Sequence, residues 1–217
     1  MRRLVLLLGC LALGTGCVSG VRPVKQLETF DYMVGGSFTG PGIEADPELT
    51  AWFRFAPIDF FDVTLGATVT LPVFESVAYG ALGELRLHIR ASDKLRVVLA
   101  GGGELLRFRL TQRSNITIHR VTVAPLLVYE GTGVRPYVGP KLEFLSDMHA
   151  EGDGFSGEPG IRRNGDGVFF LGAQIGLEDD LDAVVLGGAV GGGLLMNGRD
   201  VNNLDGISMT ASIYIGY

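Results

Sequence analysis

The sequence predicts an all-β fold, an antiparallel transmembrane β-barrel of ten strands, with eight strands as the alternative. Three observations carry this. The last twelve residues, Gly206–Tyr217, alternate strictly, with Ile207, Met209, Ala211, Ile213, Ile215 and Tyr217 on one parity and Ser208, Thr210, Ser212, Tyr214 and Gly216 on the other. This is the period of a strand with one apolar and one polar face. The run exceeds the usual strand of about five or six residues and matches the roughly 9–11 residues of a tilted strand crossing a bilayer. Second, mean hydropathy is positive, +0.30. Yet past residue 17 the longest apolar stretch, residues 183–196, is broken by glycines and falls short of the roughly 17–25 residues of a spanning helix. Third, 33 of the 217 residues are glycine, about twice the usual share, which disfavours long helices.

The N-terminus reads as a targeting segment. Arg2-Arg3 precede an apolar run, Leu4–Leu13, followed by Leu13-Gly14-Thr15-Gly16-Cys17, the layout of a secretory signal. It resembles a bacterial lipoprotein signal, which implies cleavage before Cys17 and acylation of that cysteine. The resemblance departs at one place: Gly14 sits where the lipobox usually has an aliphatic residue, and Leu13 is one position early. Cys10 has a better-placed Leu7 but leaves a short apolar run. An ordinary secretory signal cut nearby is the alternative. The expected organisation is a signal peptide over 1–16, a tether over 17–27 and the barrel over 28–217. The formal net charge of −6 gives no reason to expect nucleic-acid binding. Cleavage before Cys17 leaves one acylated cysteine and therefore no disulfide.

The strands follow in order. Strand one, about Thr29–Thr39, sets Phe30, Tyr32, Val34 and Phe38 against Asp31, Met33 and Ser37; Gly40–Pro47 then breaks the pattern. Strand two, about Leu49–Ala56, sets Leu49, Ala51, Phe53 and Phe55 against Thr50, Trp52 and Arg54. Strand three sets Val63, Leu65, Ala67, Val69 and Leu71 against Asp62, Thr64, Thr68 and Thr70. Strand four, about Val77–Arg90, sets Tyr79, Ala81, Leu85, Leu87 and Ile89 against Glu84, Arg86, His88 and Arg90. Strand five, about Leu95–Leu110, changes apolar parity between Leu105 and Leu106, and strand six, about Ile116–Tyr129, slips similarly at His119-Arg120. Such slips predict β-bulges. Strand seven sets Val134, Val138, Leu142 and Phe144 against Arg135, Tyr137, Lys141 and Glu143. A Gly- and Asp-rich break, about Asp147–Asp166, precedes strand eight, about Gly167–Leu177. Glu178–Asp182 reads as a turn, strand nine as about Ala183–Met196, and Asn197–Asp205 as a loop.

Three features resemble small bacterial outer-membrane barrels: the aromatic C-terminal residue with apolar residues at every second position before it, the segment Arg135-Pro-Tyr-Val-Gly139, and the even strand count with connections alternating longer and shorter. The resemblance implies a bacterial outer-membrane location, with both ends periplasmic. It also implies two partners, outer-membrane lipids and the barrel-assembly machinery that reads the last strand. The rival is a soluble, lipid-anchored barrel similar to a lipocalin, with its apolar face inward. Alternation alone does not separate the two.

In the membrane reading, the polar faces place Glu84, Arg86, His88, Arg90, Arg96, Glu104, Arg107, Arg109, Arg135, Lys141 and Glu143 in the lumen. Two interiors are then possible. One is a narrow, basic, anion-preferring pore. The other is a filled interior with mutually satisfied ion pairs, as expected near eight strands. The loop Asp147–Asp166 contains Asp147, His149, Glu151, Asp153, Glu158 and Asp166, but the spacing matches no EF-hand. No metal or cofactor is expected. This loop is also the candidate for a surface-binding or adhesion role, its ligand unspecified. Asp147-Met-His149 resembles the Asp-x-His pair of omptin proteases, over these three residues only. That resemblance implies a hydrolase using Asp147 and His149, but omptins also need paired aspartates on an opposing loop, and Pro72–Glu75 offers none. No Ser-His-Asp order, P-loop or GxGxxG fingerprint is present. The expected function is a structural or narrow-pore barrel without catalytic chemistry.

Overall fold

Ten strands close into one antiparallel barrel in the computed structural model, which describes residues 22–40, 47–70, 77–111, 114–131, 133–151, 168–181, 184–197 and 200–217. They are β1 (Tyr32–Thr39), β2 (Glu48–Ile58), β3 (Phe61–Thr70), β4 (Val77–Arg90), β5 (Leu95–Thr111), β6 (Ser114–Tyr129), β7 (Val134–Glu151), β8 (Val168–Leu181), β9 (Val184–Asn197) and β10 (Asp200–Gly216). Each pairs with its chain neighbours, and β10 returns to β1 with Gly35 opposite Gly216 and Thr39 opposite Ser212. Val34 and Tyr217 extend that seam, exchanging backbone hydrogen bonds of 2.9 and 2.7 Å. Pairing of the first strand with the last closes the sheet along this seam.

The alternation resolves into an apolar outside and a polar inside. Leu65 is 60% exposed, Ile175 57% and Ile215 51%, whereas Thr64, Asp62 and Glu178 on the opposite parity are fully buried. The lipocalin-like arrangement, with the apolar face inward, is therefore not the one adopted. Outward positions carry no charge from Tyr32 to Phe38, Leu49 to Phe55, Phe61 to Val69, Tyr79 to Ile89, Leu95 to Leu105, Val121 to Tyr129, Val134 to Phe144 and Phe169 to Leu177.

The two ends differ. At one end β2–β3, β4–β5, β6–β7 and β8–β9 are joined by spans of two to four residues: 59–60, 91–94, 130–133 and 182–183. Exposed aromatics gather there: Phe30, Tyr32, Phe60, Tyr129 and Tyr217, with the Tyr32 and Phe53 rings stacked at 6.2 Å. Toward the other end lie exposed Tyr79 and the Phe144–Phe169 ring pair at 4.5 Å.

Several strands outrun their expected limits. β10 begins at Asp200 rather than after a loop at Asp205, β7 continues to Glu151, and β8 reaches Leu181 through the expected turn. Only residues 112–113 and 198–199 then separate β5 from β6 and β9 from β10, so the far end is not uniformly longer-looped.

The expected bulge at Leu105-Leu106 is absent: β5 pairs with β4 without interruption from Arg96 to Arg109, and with β6 through the same stretch. The change is one of polarity. Leu105 is 45% exposed, while Leu106, 1% exposed, turns into the lumen. In β6, Arg120 is buried and Val121 exposed, so its alternation also holds past His119. The shift opposite β6 lies in β7, where Thr117 pairs with His149 and His119 with Ser146, leaving an extra residue on β7.

Candidate functional site: the filled lumen

The interior is occupied by the chain itself. Residues 22–27, expected as part of a tether, enter the barrel from the short-turn end before Phe30 turns the chain out into β1. Phe30 adopts a φ of 65°, an uncommon conformation for a bulky residue, and its N–H donates to the Ala56 carbonyl at 2.7 Å. Arg22, Pro23, Val24 and Leu27 are buried.

The segment climbs past successive wall groups. At the rim, the Gln26 amide donates to the Asp59 carbonyl and the Thr29 N–H to Asp59 Oδ1 at 2.8 Å. Lys25 Nζ pairs with Asp180 Oδ2 at 3.0 Å. Deeper in, the Val24 N–H donates to Glu178 Oε2 at 2.6 Å, and Arg96 donates to the Val24 carbonyl at 2.7 Å. Arg54 and Arg86 both donate to the Pro23 carbonyl, Arg54 at 2.8 Å. Arg22 ends the climb paired with Glu84, which Arg86 also engages.

Apolar contacts reinforce these bonds. Val24 joins Val98, Leu126, Val128, Tyr137 and Ala189 in one cluster. Leu27 joins Met33, Trp52, Ala56, Val185 and Tyr214 in another. Fully burying a Val or Leu side chain contributes roughly 1.5–3 kcal/mol.

The wall groups are themselves paired. Arg54 and Asp62, both fully buried, form a salt bridge, and His88 Nε2 lies 2.5 Å from the same Asp62 oxygen. Arg135 spans Glu130, Glu178 and Asp180 at 3.1, 3.3 and 3.0 Å. Arg96 also meets Glu130 at 2.6 Å. Farther from the short-turn end, Arg120 bridges Glu48 and Glu104, each at 3.1 Å, and Lys141 meets Glu143 at 3.1 Å. Burying such charges is tolerated because each has a partner of opposite sign.

Among these described wall groups the cations are six (Arg54, Arg86, Arg96, Arg120, Arg135 and Lys141) and the carboxylates eight (Glu48, Asp62, Glu84, Glu104, Glu130, Glu143, Glu178 and Asp180). These described groups thus carry two more carboxylates than cations, one of them among the groups around the segment, where Arg22 and Lys25 pair with Glu84 and Asp180.

Glycines make room for the large inward side chains. Trp52 stands opposite Gly35, Tyr137 opposite Gly176 and Tyr214 opposite Gly187 in the ladder. A Cβ on any of these glycines would run into the facing ring. Leu82 faces Gly66 and Leu106 faces Gly80 in the same way. In a barrel this narrow, a bulky inward residue needs a partner without a side chain, which accounts for part of the glycine content.

Seven expected lumen charges, Glu84, Arg86, Arg96, Glu104, Arg135, Lys141 and Glu143, are placed inside, together with His88. Two are not. Arg90 projects at the rim, its side chain 74% exposed and 3.0 Å from Asp93, because β4 ends there. Arg107 occupies the outward parity of Leu99 and Leu105, since β5 continues without a bulge. Arg109 pairs with Val77 in the ladder; its side chain lies outside the described residues.

Asp147 and His149 fall within β7 rather than in a loop, with His149 opposite Thr117; their side chains lie outside the described residues, as do Cys17, Asp153, Glu158 and Asp166. Sequence reasoning missed Arg54, Asp62, Glu178, Arg120, Glu48 and the entering segment. Arg54 and Asp62 share the polar parity of Thr50 and Thr64 and could have been found by it.

No protein-family model matches the chain, and no curated protein matches it either.

Proposed function

We propose that the chain is a bacterial outer-membrane barrel of structural type, sealed by its own N-terminal segment and without catalytic chemistry. The observation that carries this is the outward face. Over the described spans of β1 to β8 it is uncharged on strand after strand, and it is bounded by two levels of aromatic residues. Soluble monomers rarely expose contiguous apolar patches beyond a few hundred Å². A lipid-facing apolar band flanked by aromatic girdles is the arrangement of a barrel in a bilayer.

The lumen favours a sealed barrel over an anion-preferring pore. Its wall is not basic once Asp62, Glu178 and Glu48 are counted, and Arg22–Leu27 fills the short-turn half. In this reading residues 1–16 are a secretory signal, Cys17 is acylated, and the short-turn end faces the periplasm. Outer-membrane lipids solvate the band, and the assembly machinery reads the strand ending in Tyr217. Surface binding through 147–166 rests almost wholly on residues outside those described, and no observation favours it.

Planar-bilayer recording of the purified full chain tests the sealed lumen. The expected result is no sustained conductance. An anion-selective current that falls in Arg86→Ala or Arg135→Ala would instead make the protein a pore.

A further inference from the structure

We propose that the short-turn half of the lumen is a peptide-binding site, held by the chain's own residues 22–27, for an extended segment of the pattern cation–Pro–apolar–cation–x–apolar. The proposal rests on the membrane reading only for the compartment that the opening faces.

The contacts are those that recognise an extended peptide. Three guanidinium groups converge on two successive carbonyls: Arg54 and Arg86 on Pro23, and Arg96 on Val24. One carboxylate, Glu178, takes the single N–H between them. Proline suits its position because it brings no N–H that would need an acceptor. Val24 and Leu27 fill two separate apolar pockets. Arg22 and Lys25 seat on Glu84 and Asp180.

Charge points to the same occupant. Around the segment the described wall groups are four cations (Arg54, Arg86, Arg96 and Arg135) and five carboxylates (Asp62, Glu84, Glu130, Glu178 and Asp180), and the segment's own two cations seat directly on two of those carboxylates, Glu84 and Asp180. An acidic segment would set like charge against that carboxylate excess in the barrel interior, where unpaired charge is costly.

Among the described residues the segment is joined to the wall at the rim, through Glu28–Asp31, where the Asp31 N–H donates to the Glu28 carbonyl at 3.0 Å. Nothing in the seated contacts requires the covalent link. A segment of another molecule entering at the same end meets the same groups.

The test uses a fluorescent hexapeptide, Arg-Pro-Val-Lys-Gln-Leu, the sequence of residues 22–27, added to detergent-purified barrel. The first variant replaces residues 22–27 by a Gly-Ser stretch of equal length; the second is Arg22→Glu with Lys25→Glu in the full chain. Heat-modifiable migration establishes that each has assembled. The expected result is saturable binding to either variant, at least tenfold weaker binding to the unmodified chain, and at least tenfold loss when Glu178→Gln and Asp180→Asn are added. A peptide with both cations replaced by glutamate should not bind.

Absence of binding to an assembled variant, or equal binding by variant and unmodified chain, overturns the proposal. So does failure of both variants to assemble, which would make the segment an inseparable part of the barrel. An assembled barrel that ignores the peptide leaves the membrane reading standing. A chain recovered from the soluble fraction counts against the membrane reading and not against the site.

Discussion

The Glu178 carboxylate holds the Val24 N–H at 2.6 Å, and the same oxygen takes the Tyr214 hydroxyl at 3.0 Å. One fully buried side chain on β8 thereby ties the entering segment to the closing strand. Arg135 balances its charge from β7. Glu178→Ala removes all three links and leaves Arg135 with one carboxylate fewer. Breaking a buried charge network costs about 3–5 kcal/mol. The expected outcome is release of the segment, read as faster labelling of Lys25→Cys by a bulky maleimide in a Cys17→Ser background. Unchanged labelling would show that Glu178 does not hold the segment.

The Arg54–Asp62 pair offers a sharper electrostatic test. Asp62→Leu alone leaves Arg54 buried against the Pro23 carbonyl without its carboxylate, and should destabilise the barrel by about 3–5 kcal/mol. Arg54→Met with Asp62→Leu removes both charges and should recover most of that loss. Denaturant unfolding of Asp62→Leu, Arg54→Met and the double variant in detergent measures it; additive losses would contradict the pairing.

Glycine substitutions should sort by what faces them. Gly187→Ala drives a methyl into the Tyr214 ring, whose hydroxyl is fixed on Glu178. Overpacking of this kind costs about 1–3 kcal/mol. Gly101→Ala meets nothing nearer than the Thr122 carbonyl at 4.0 Å and should be tolerated. Equal unfolding midpoints would contradict the packing described.

What could be read in the sequence was whatever a period of two encodes. β3 shows it plainly: Val63, Leu65 and Val69 point out and Asp62, Thr64 and Thr68 point in. The same period misled where polarity inverts without any break in pairing, as at Leu105 and Leu106. Alternation records which face is apolar, not whether that face still looks outward. β8 reads short in the sequence because Glu178, Asp179 and Asp180 resemble a turn, although the first is a fully buried lumen group. The entering segment left no periodic trace. Its burial depends on partners distant in the chain, such as Glu84 for Arg22, 62 residues on, and on main-chain groups that no side-chain pattern reports.

Lipid-facing positions provide a direct contrast with the lumen. Leu65→Arg places a charge on the exposed face of β3 and should cost roughly 2–4 kcal/mol if that position lies near the bilayer midplane. Ile213→Arg on β10 should behave alike. Ser212→Arg on the opposite face should also be disruptive, because Ser212 is buried against Thr39, with their hydroxyl oxygens 3.1 Å apart. Heat-modifiable migration of outer-membrane fractions reads all three; normal assembly of Leu65→Arg would contradict the assignment of faces.

The central claim is that the apolar outer face is solvated by lipid. Fractionation of expressing cells, followed by urea extraction of the membranes, tests it most directly. The chain should remain in the outer-membrane pellet and migrate differently before and after heating. Recovery in the soluble fraction, or release by urea, would contradict it.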